Sequence, residues 1–404
     1  MKHYLLEAVE AYEDEIIHFL RDMIAIPGES RNEQHIIERI KQEMEHVGFD
    51  DIEIDNMGNI LGRVGHGKKI IAMDCHVDTV GIGNPEQWKV DPYKGMLHEG
   101  NIYGRGAVDQ RAGMAALVYG VRLIKKFNLF EDFTLYITGT VQEEDCDGLC
   151  WQYIINEKGL KPDCVVITEP TDLNIYRGHR GRMEIGVTTT GKACHASAPD
   201  RGDNAIYGMN KIIREIENLN DHLISDAFLG KGTVAVTNIT CKSPSLCAVP
   251  DECYIHLDRR LTAGETKESA VKEIEKIAEQ SGVKAKIEVL TYELPGYKGL
   301  VYPAERYFPT WVLPEDHLLL KSSVNTFITL FDRFPVPGKW IFSTNGVATM
   351  GMHQIPTVGF GPGNEHYAHS TDEHVAVEQI LKAAAWYALF PGIYVKTLEK
   401  GEGK

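Results

Sequence analysis

No stretch of the 404-residue chain approaches the roughly 18 consecutive apolar residues of a membrane span, so no membrane partner is expected. Basic blocks are missing too: 42 Lys and Arg stand against 58 Asp and Glu, a net charge of −16. A surface of that sign repels phosphate backbones and excludes nucleic acid as a partner class. Cysteine is dilute, eight in 404 residues, which cannot build the disulfide framework of a small secreted domain. Cys146 and Cys150 have no second Cys or His pair at matching spacing and are read as buried thiols. The N-terminal stretch carries Glu7, Glu10, Glu13 and Glu15, which a signal-peptide core does not contain, so the expected location is the cytoplasm. Internal repeats and low-complexity segments are absent as well.

What is present is an ordinary globular composition, 43% apolar and 25% charged, at a length that favours two domains. Residues 1–180 alternate helical and strand patterns, as α/β layers do. The runs Ile70–Met73, Leu135–Val141 and Cys164–Thr168 read as buried strands, and Arg111–Phe127 as a helix between them. From about residue 182 the order becomes strand, helix, strand, strand, helix, strand, ending with a strand over Lys284–Tyr292. That is the ferredoxin-like split unit. Helix and strand patterns resume after Pro295 and end in a helix over Glu373–Leu389, for which Ser370-Thr-Asp-Glu373 offers a capping box. The expected domains are therefore a catalytic α/β domain in two parts, 1–181 and 295–404, interrupted by an α+β insertion at 182–294.

Ligand-type residues collect at the ends of the expected strands, where open α/β sheets place their sites. Asp74-Cys-His76-Val-Asp78 follows one strand, Gln142-Glu143-Glu144-Asp145 a second and Glu169-Pro170 a third. Gly104-Arg-Gly106-Ala-Val-Asp109-Gln110 leads into a helix, and Gly361-Pro-Gly363 precedes Ala368-His369-Ser370. Two imidazoles, several carboxylates and one carboxylate left over as base are the inventory of a two-metal hydrolytic site. Taken singly, a strand-end His or a Glu-Glu turn is usually a solvated polar residue. The convergence of several strand ends and one glycine loop raises the functional reading above that alternative.

The stretches MDCHVDTV, GRGAVDQRAG, TVQEEDCDG, VITEPT, GKACHASAPDRGDNAI and GPGNEHYAHSTDE together resemble the dinuclear-zinc aminoacylase/carboxypeptidase family. Acetylornithine deacetylase, succinyl-diaminopimelate desuccinylase and carboxypeptidase G are members of it. Within the family, TVQEEDCDGLCWQYI and RGRMEI are most similar to a branch of selenium-metabolism-linked hydrolases. The resemblance implies a zinc-peptidase-like catalytic domain, with a mixed sheet between helices, and an inserted ferredoxin-like dimerisation (lid) domain. It also implies a homodimer and two Zn2+ per subunit, with Co2+ or Mn2+ as substitutes.

By that resemblance His76, Asp109, Glu144, Glu169 and His369 are the metal ligands. Asp109 bridges, and the Asp109–Gln110 peptide is expected to be cis. Asp78 orients His76 from behind, and Glu143 moves the proton from a metal-bound water to the leaving nitrogen. His195 reaches the partner subunit's site to steady an oxyanion, and Arg260, with help from Arg180, grips the substrate carboxylate. Two positions depart from the family's pattern. Cys247 stands where an Asn precedes Pro250, and Asn345 stands where Asp is common, which makes Asn345 a candidate specificity residue. His353, His366 and His374 lie outside the motifs and are read as surface or structural.

The implied activity is metal-dependent cleavage of an amide-type C–N bond in a small carboxylate-bearing substrate, by a deacylase or small peptidase. A ureido (N-carbamoyl) amino acid is the alternative substrate. A non-catalytic metal- or peptide-binding dimer is the alternative from a different class.

Overall fold

The computed structural model describes residues 2–402, which form two separate apolar cores. The larger surrounds a nine-stranded mixed sheet. Its path runs Asp51–Ile54, Ile60–Gly65, Phe133–Thr140, Lys69–His76, Cys164–Ile167, Thr357–Gly359, Tyr176–His179, Trp311–Val312, and Gly338–Trp340 also pairs with Tyr176–His179. Strands Phe133–Thr140, Lys69–His76, Cys164–Ile167 and Thr357–Gly359 are mutually parallel and almost wholly buried. Helices therefore cover both faces, and the sequence shows continuous apolar runs rather than alternation. Because these strands are parallel, their carboxyl ends gather at one edge of the sheet.

The helices follow from periodicity and stop signals. Gln34–Val47 buries Ile36, Ile37, Ile40, Met44 and Val47 along one face. It ends on Gly48 at φ 84, whose N–H bonds back to the carbonyl of Met44 at 3.0 Å. That left-handed cap favours glycine. Ala112–Phe127 is apolar nearly all round because it packs between the sheet and the C-terminal helix Val377–Glu402.

The smaller core belongs to an insertion whose antiparallel sheet runs Thr233–Lys242, Glu252–Leu261, Gly181–Thr190, Ala285–Val289, with a fifth strand, Tyr307–Phe308 from the chain after the insertion, also paired to Gly181–Thr190. Helices Ala205–His222 and Lys267–Gln280 complete the expected βαββαβ order. Strict alternation along Glu252–Leu261 buries Cys253, Ile255, Leu257, Arg259 and Leu261 and turns Tyr254, His256, Asp258 and Arg260 to the other face.

Three expectations about elements are corrected. The helical spacing of Leu5, Leu6, Val9, Tyr12, Ile16 and Leu20 predicts one N-terminal helix, but two form, Lys2–Glu10 and Glu13–Ile24. The strand over 284–292 splits: Ala285–Val289 joins the insertion, and Thr291–Tyr292 pairs with Ala304–Glu305. The capping box at 370–373 does not form. A short strand, His374–Ala376, precedes the last helix, and the Glu373 carboxylate turns inward to Arg105 and to the N–H groups of Val108 and Asp109.

Candidate metal centre

His76 is the last residue of its strand and is 1% exposed. Its Nδ1 donates to the carbonyl of Asp78 at 3.0 Å and lies 3.6 Å from that residue's carboxylate. The donor role of Nδ1 leaves Nε2 as the coordinating atom. Nε2 lies 3.0 Å from Oδ1 of Asp109, 3.3 Å from Oε1 of Glu169 and 4.0 Å from Oε2 of Glu143. The other Asp109 oxygen, Oδ2, lies 3.1 Å from Nε2 of His369, which is itself 3.1 Å from Oε2 of Glu144. One carboxylate thus divides its two oxygens between two imidazoles on opposite sides.

The backbone sets these positions. Asp109 sits on an irregular turn entered through Gly106 at φ 83, and the Asp109–Gln110 peptide is cis. A Cβ at Gly106 would meet Arg111 and Thr79 at 2.9 Å. The Asp78 carboxylate accepts from Ser30 Oγ at 2.6 Å and from the N–H groups of Glu143 and Glu144 at 3.3 and 3.1 Å. Asp78 therefore fixes the Glu143–Glu144 turn as well as His76. Buried Glu33 adds to this by accepting the N–H of Gln142 at 3.0 Å.

The charge arrangement is unbalanced in the protein alone. Among the described residues no Lys or Arg pairs with Asp109, Glu143, Glu144 or Glu169. Burial pushes the carboxyls of Glu143 and Glu144 up and that of Glu169 to about 7. Burial also acts on Asp109, but the bonds from His369 and His76 outweigh it and hold that carboxyl low. Bonds to Asp109 and Glu144 push His369 up to about 10. Oε1 of Glu143 and Oε2 of Glu169 are buried with no hydrogen-bond partner. Ligand atoms of His76, Glu143 and Glu169, and of His76, Asp109 and Glu144, lie within 4.8 Å of one another. Mixed imidazole and carboxylate donors with orphaned oxygens fit divalent zinc, cobalt or manganese.

A cavity of about 330 Å³ opens over this cluster. The remaining sequence candidates fall on and off its wall. Arg260 lines it, bonded to Asp258 through Nε at 2.7 Å and Nη2 at 3.1 Å. Arg180 is off the wall and donates to the carbonyl of Lys231. Asn345 is 1% exposed and also off the wall, its amide donating to Asp74 at 2.9 Å and accepting the Gly148 N–H at 2.9 Å. The structure gives Asn345 no access to a ligand in the cavity, because both ends of its amide are used within the core. His195 lies on an exposed loop away from the cavity, and its Nδ1 accepts from the N–H of Ser197 at 3.1 Å.

Sequence reasoning missed Arg182, Asp147, Phe342, Ser343 and Glu365 on the wall. Arg182 was findable, since it follows the candidate Arg180 by two in sequence and lies directly opposite Arg260 in register. The others sit in loops that carry no spacing signal.

Residues 177–286 match the family described as peptidase dimerisation domain. The chain is 51% identical over 393 residues to YgeY of Escherichia coli K12, an uncharacterized protein, with 97% of this chain and 98% of that one covered. It is 30% identical over 283 residues to a probable succinyl-diaminopimelate desuccinylase of Staphylococcus aureus Mu50, covering 61% of this chain and 69% of the relative. In fold it is similar to the Bacillus subtilis YXEP protein, a dinuclear metal binding peptidase, at TM-score 0.71 and 14% identity, with 96% and 99% of the two chains covered. No helix among the described residues is long and apolar enough to cross a membrane.

Proposed function

The chain belongs to the M20 peptidase family, and from that premise we propose that it hydrolyses an amide-type C–N bond in a small substrate bearing a carboxylate. The observation that carries the reading is the division of the Asp109 oxygens between His76 and His369. His76, Glu169 and Asp109 would hold one divalent cation, and His369, Glu144 and the same Asp109 a second. The bound pair, two zinc ions or cobalt or manganese in their place, supplies Lewis acidity toward a carbonyl and toward water.

The protein's own groups do the rest. Glu143 stands farther from His76 Nε2 than Asp109 or Glu169 does, and one of its oxygens has no partner. It takes a proton from the attacking water and returns it to the leaving nitrogen as the C–N bond breaks. The products are a carboxylic acid and an amine. Asp78 keeps His76 and the Glu143 turn in place. Arg260 keeps Nη1 available beyond its two bonds to Asp258 and would bind the substrate carboxylate, with Arg180 as a more distant support.

His195 is assigned to the second subunit of a homodimer. Because its Nδ1 accepts, its Nε2 carries the proton and can donate to an oxyanion. Strand Thr233–Lys242 is an unpaired sheet edge with Ile239 53% exposed, and Leu246 just beyond it is fully exposed. An edge of that kind is suited to pairing with a second copy. The free state of all eight cysteines fits a reducing cytoplasm. The phrases TVQEEDCDGLCWQYI and RGRMEI favour the selenium-metabolism-linked branch.

The test is to deplete the protein of metal, reload it with zinc, cobalt or manganese, and screen N-acyl amino acids, dipeptides and N-carbamoyl amino acids. C–N cleavage by a loaded form, abolished by chelation, is expected among the first two classes. Cleavage confined to the N-carbamoyl compounds would move the substrate assignment to the ureido class. No cleavage by any form with metal bound would contradict the enzyme reading.

A further inference from the structure

Four atoms on the cavity wall outside the chemistry above are buried without a hydrogen-bond partner: Oδ2 of Asp147 and Nε of Arg182, whose side chains pair with each other through other atoms, and two with no ion-pair partner at all. Oε2 of Glu365 and Oγ of Ser343 are both buried and both without a hydrogen-bond partner. Glu365 opens the short turn Glu365–Tyr367, but Asn364, not Glu365, caps that turn by accepting the N–H of His366. No Lys, Arg or His among the described residues pairs with Glu365, and it belongs to neither group of potential metal ligands. Burial alone pushes its carboxyl up to about 7. A carboxylate in that setting gains most from an N–H-bearing cation, which supplies both charge and donors.

The cations already on the wall do not serve. Arg182 is held by Asp147 and Glu184, and Arg260 by Asp258. Both project from the inserted unit, whereas Glu365 and Ser343 belong to the catalytic unit. The wall therefore carries guanidinium groups from one domain, of which Arg260 keeps Nη1 available, and unpartnered acceptors from the other. A ligand matching both would be zwitterionic.

We propose that Glu365, aided by the hydroxyl of Ser343, is a specificity-determining residue that takes a protonated amine on the acyl side of the substrate. The preferred substrates are then amides with an ammonium on the acyl part and a carboxylate on the amine part. Simple N-acyl amino acids are the poorer class. This rests on the amide-hydrolase reading and narrows its substrate.

The test compares isosteric pairs that differ only in the amine: glycylglycine with N-propionylglycine, and β-alanylglycine with N-butyrylglycine. Binding is measured by calorimetry on metal-loaded Glu143→Gln protein, with and without Glu365→Gln, and cleavage is measured on the wild type. For at least one pair, the amine-bearing member should bind ~10- to 100-fold tighter, the weight of a charge-assisted hydrogen bond in a partly buried site. Glu365→Gln should bring that ratio close to one, and Ser343→Ala should lower it less. Metal content measured on the same samples shows that the variants are folded. Absence of any preference for the amine in either pair overturns the proposal whatever the variants do, as does a preference that survives Glu365→Gln. If the loaded protein neither binds nor cleaves any of the four amides, the Glu365 assignment is overturned, while the amide-hydrolase reading fails only if the wider screen of N-acyl amino acids, dipeptides and N-carbamoyl amino acids also yields no cleavage.

Discussion

Oε1 of Glu373 accepts the backbone N–H of Asp109 at 3.2 Å across 264 residues of sequence, and accepts that of Val108 at 3.0 Å. Its other oxygen pairs with Arg105, and both side chains are buried. The carboxylate thus ties the C-terminal part of the catalytic domain to the turn that presents the central metal-binding candidate.

Replacing Glu373 with Gln should therefore act on stability and on metal together. An unpaired Arg105 left in the core costs about 3 kcal/mol, the usual penalty for halving a buried ion pair. A loosened Asp109 should weaken metal retention by ~10- to 100-fold. Denaturant unfolding and competition with a chelator measure the two, and no change in either would remove Glu373 from the account.

A second prediction concerns acid. Nε2 of buried His179 faces the N–H of Trp311 at 2.8 Å and the N–H of Thr344 at 3.1 Å, with the Thr344 hydroxyl at 3.0 Å. Burial lowers this imidazole to about 4. The unfolded chain takes the proton below about 6.5, so the contribution is complete above that pH and is lost as pH falls to about 4. The loss should be about 3 kcal/mol. His179→Gln should flatten the stability profile over that window, and an unchanged slope would show that the acid sensitivity lies elsewhere.

Ligand assignments are checked by metal content. His76→Ala and Glu169→Ala should each lower bound metal along with the rate, because each removes a donor from the same side of Asp109. Full occupancy in both variants would mean the ligand set is misassigned.

How much of this was legible in the sequence follows from what fixes each residue. His76, Glu143, Glu144 and Glu169 sit at or just beyond the ends of parallel strands, and apolar runs announce those ends directly. Glu373 was not legible, since Ser-Thr-Asp-Glu before an apolar run is also the pattern of a helix cap. Only the tertiary position of Arg105 decides between the two. Asn345 was read as a specificity residue, yet it faces the wholly buried carboxyl of Asp74. A second carboxylate at 345 would repel the first, and an amide donates to it instead. Such a requirement, set by a partner 271 residues away in sequence, leaves no local trace. The wall residues Ser343 and Glu365 belong to loops whose course is set by packing rather than by pattern.

The dimer prediction is a complementation. Glu143→Gln and His195→Ala proteins should each be nearly inactive, His195→Ala by ~100- to 1,000-fold if it donates to an oxyanion. Mixed under subunit exchange, they should regain part of the activity, since one site of each mixed dimer has both residues intact. Exchange without recovery would confine His195 to its own chain or deny it a role.

The most direct test of the central claim is the rate of amide hydrolysis by Glu143→Gln protein whose metal content has been matched to the wild type. A neutral amide cannot accept a proton from water. Full metal occupancy is therefore expected, with turnover lowered by at least ~100-fold. A rate near that of the wild type at equal metal content would contradict it, and would return Glu143 to the role of a buried structural carboxylate.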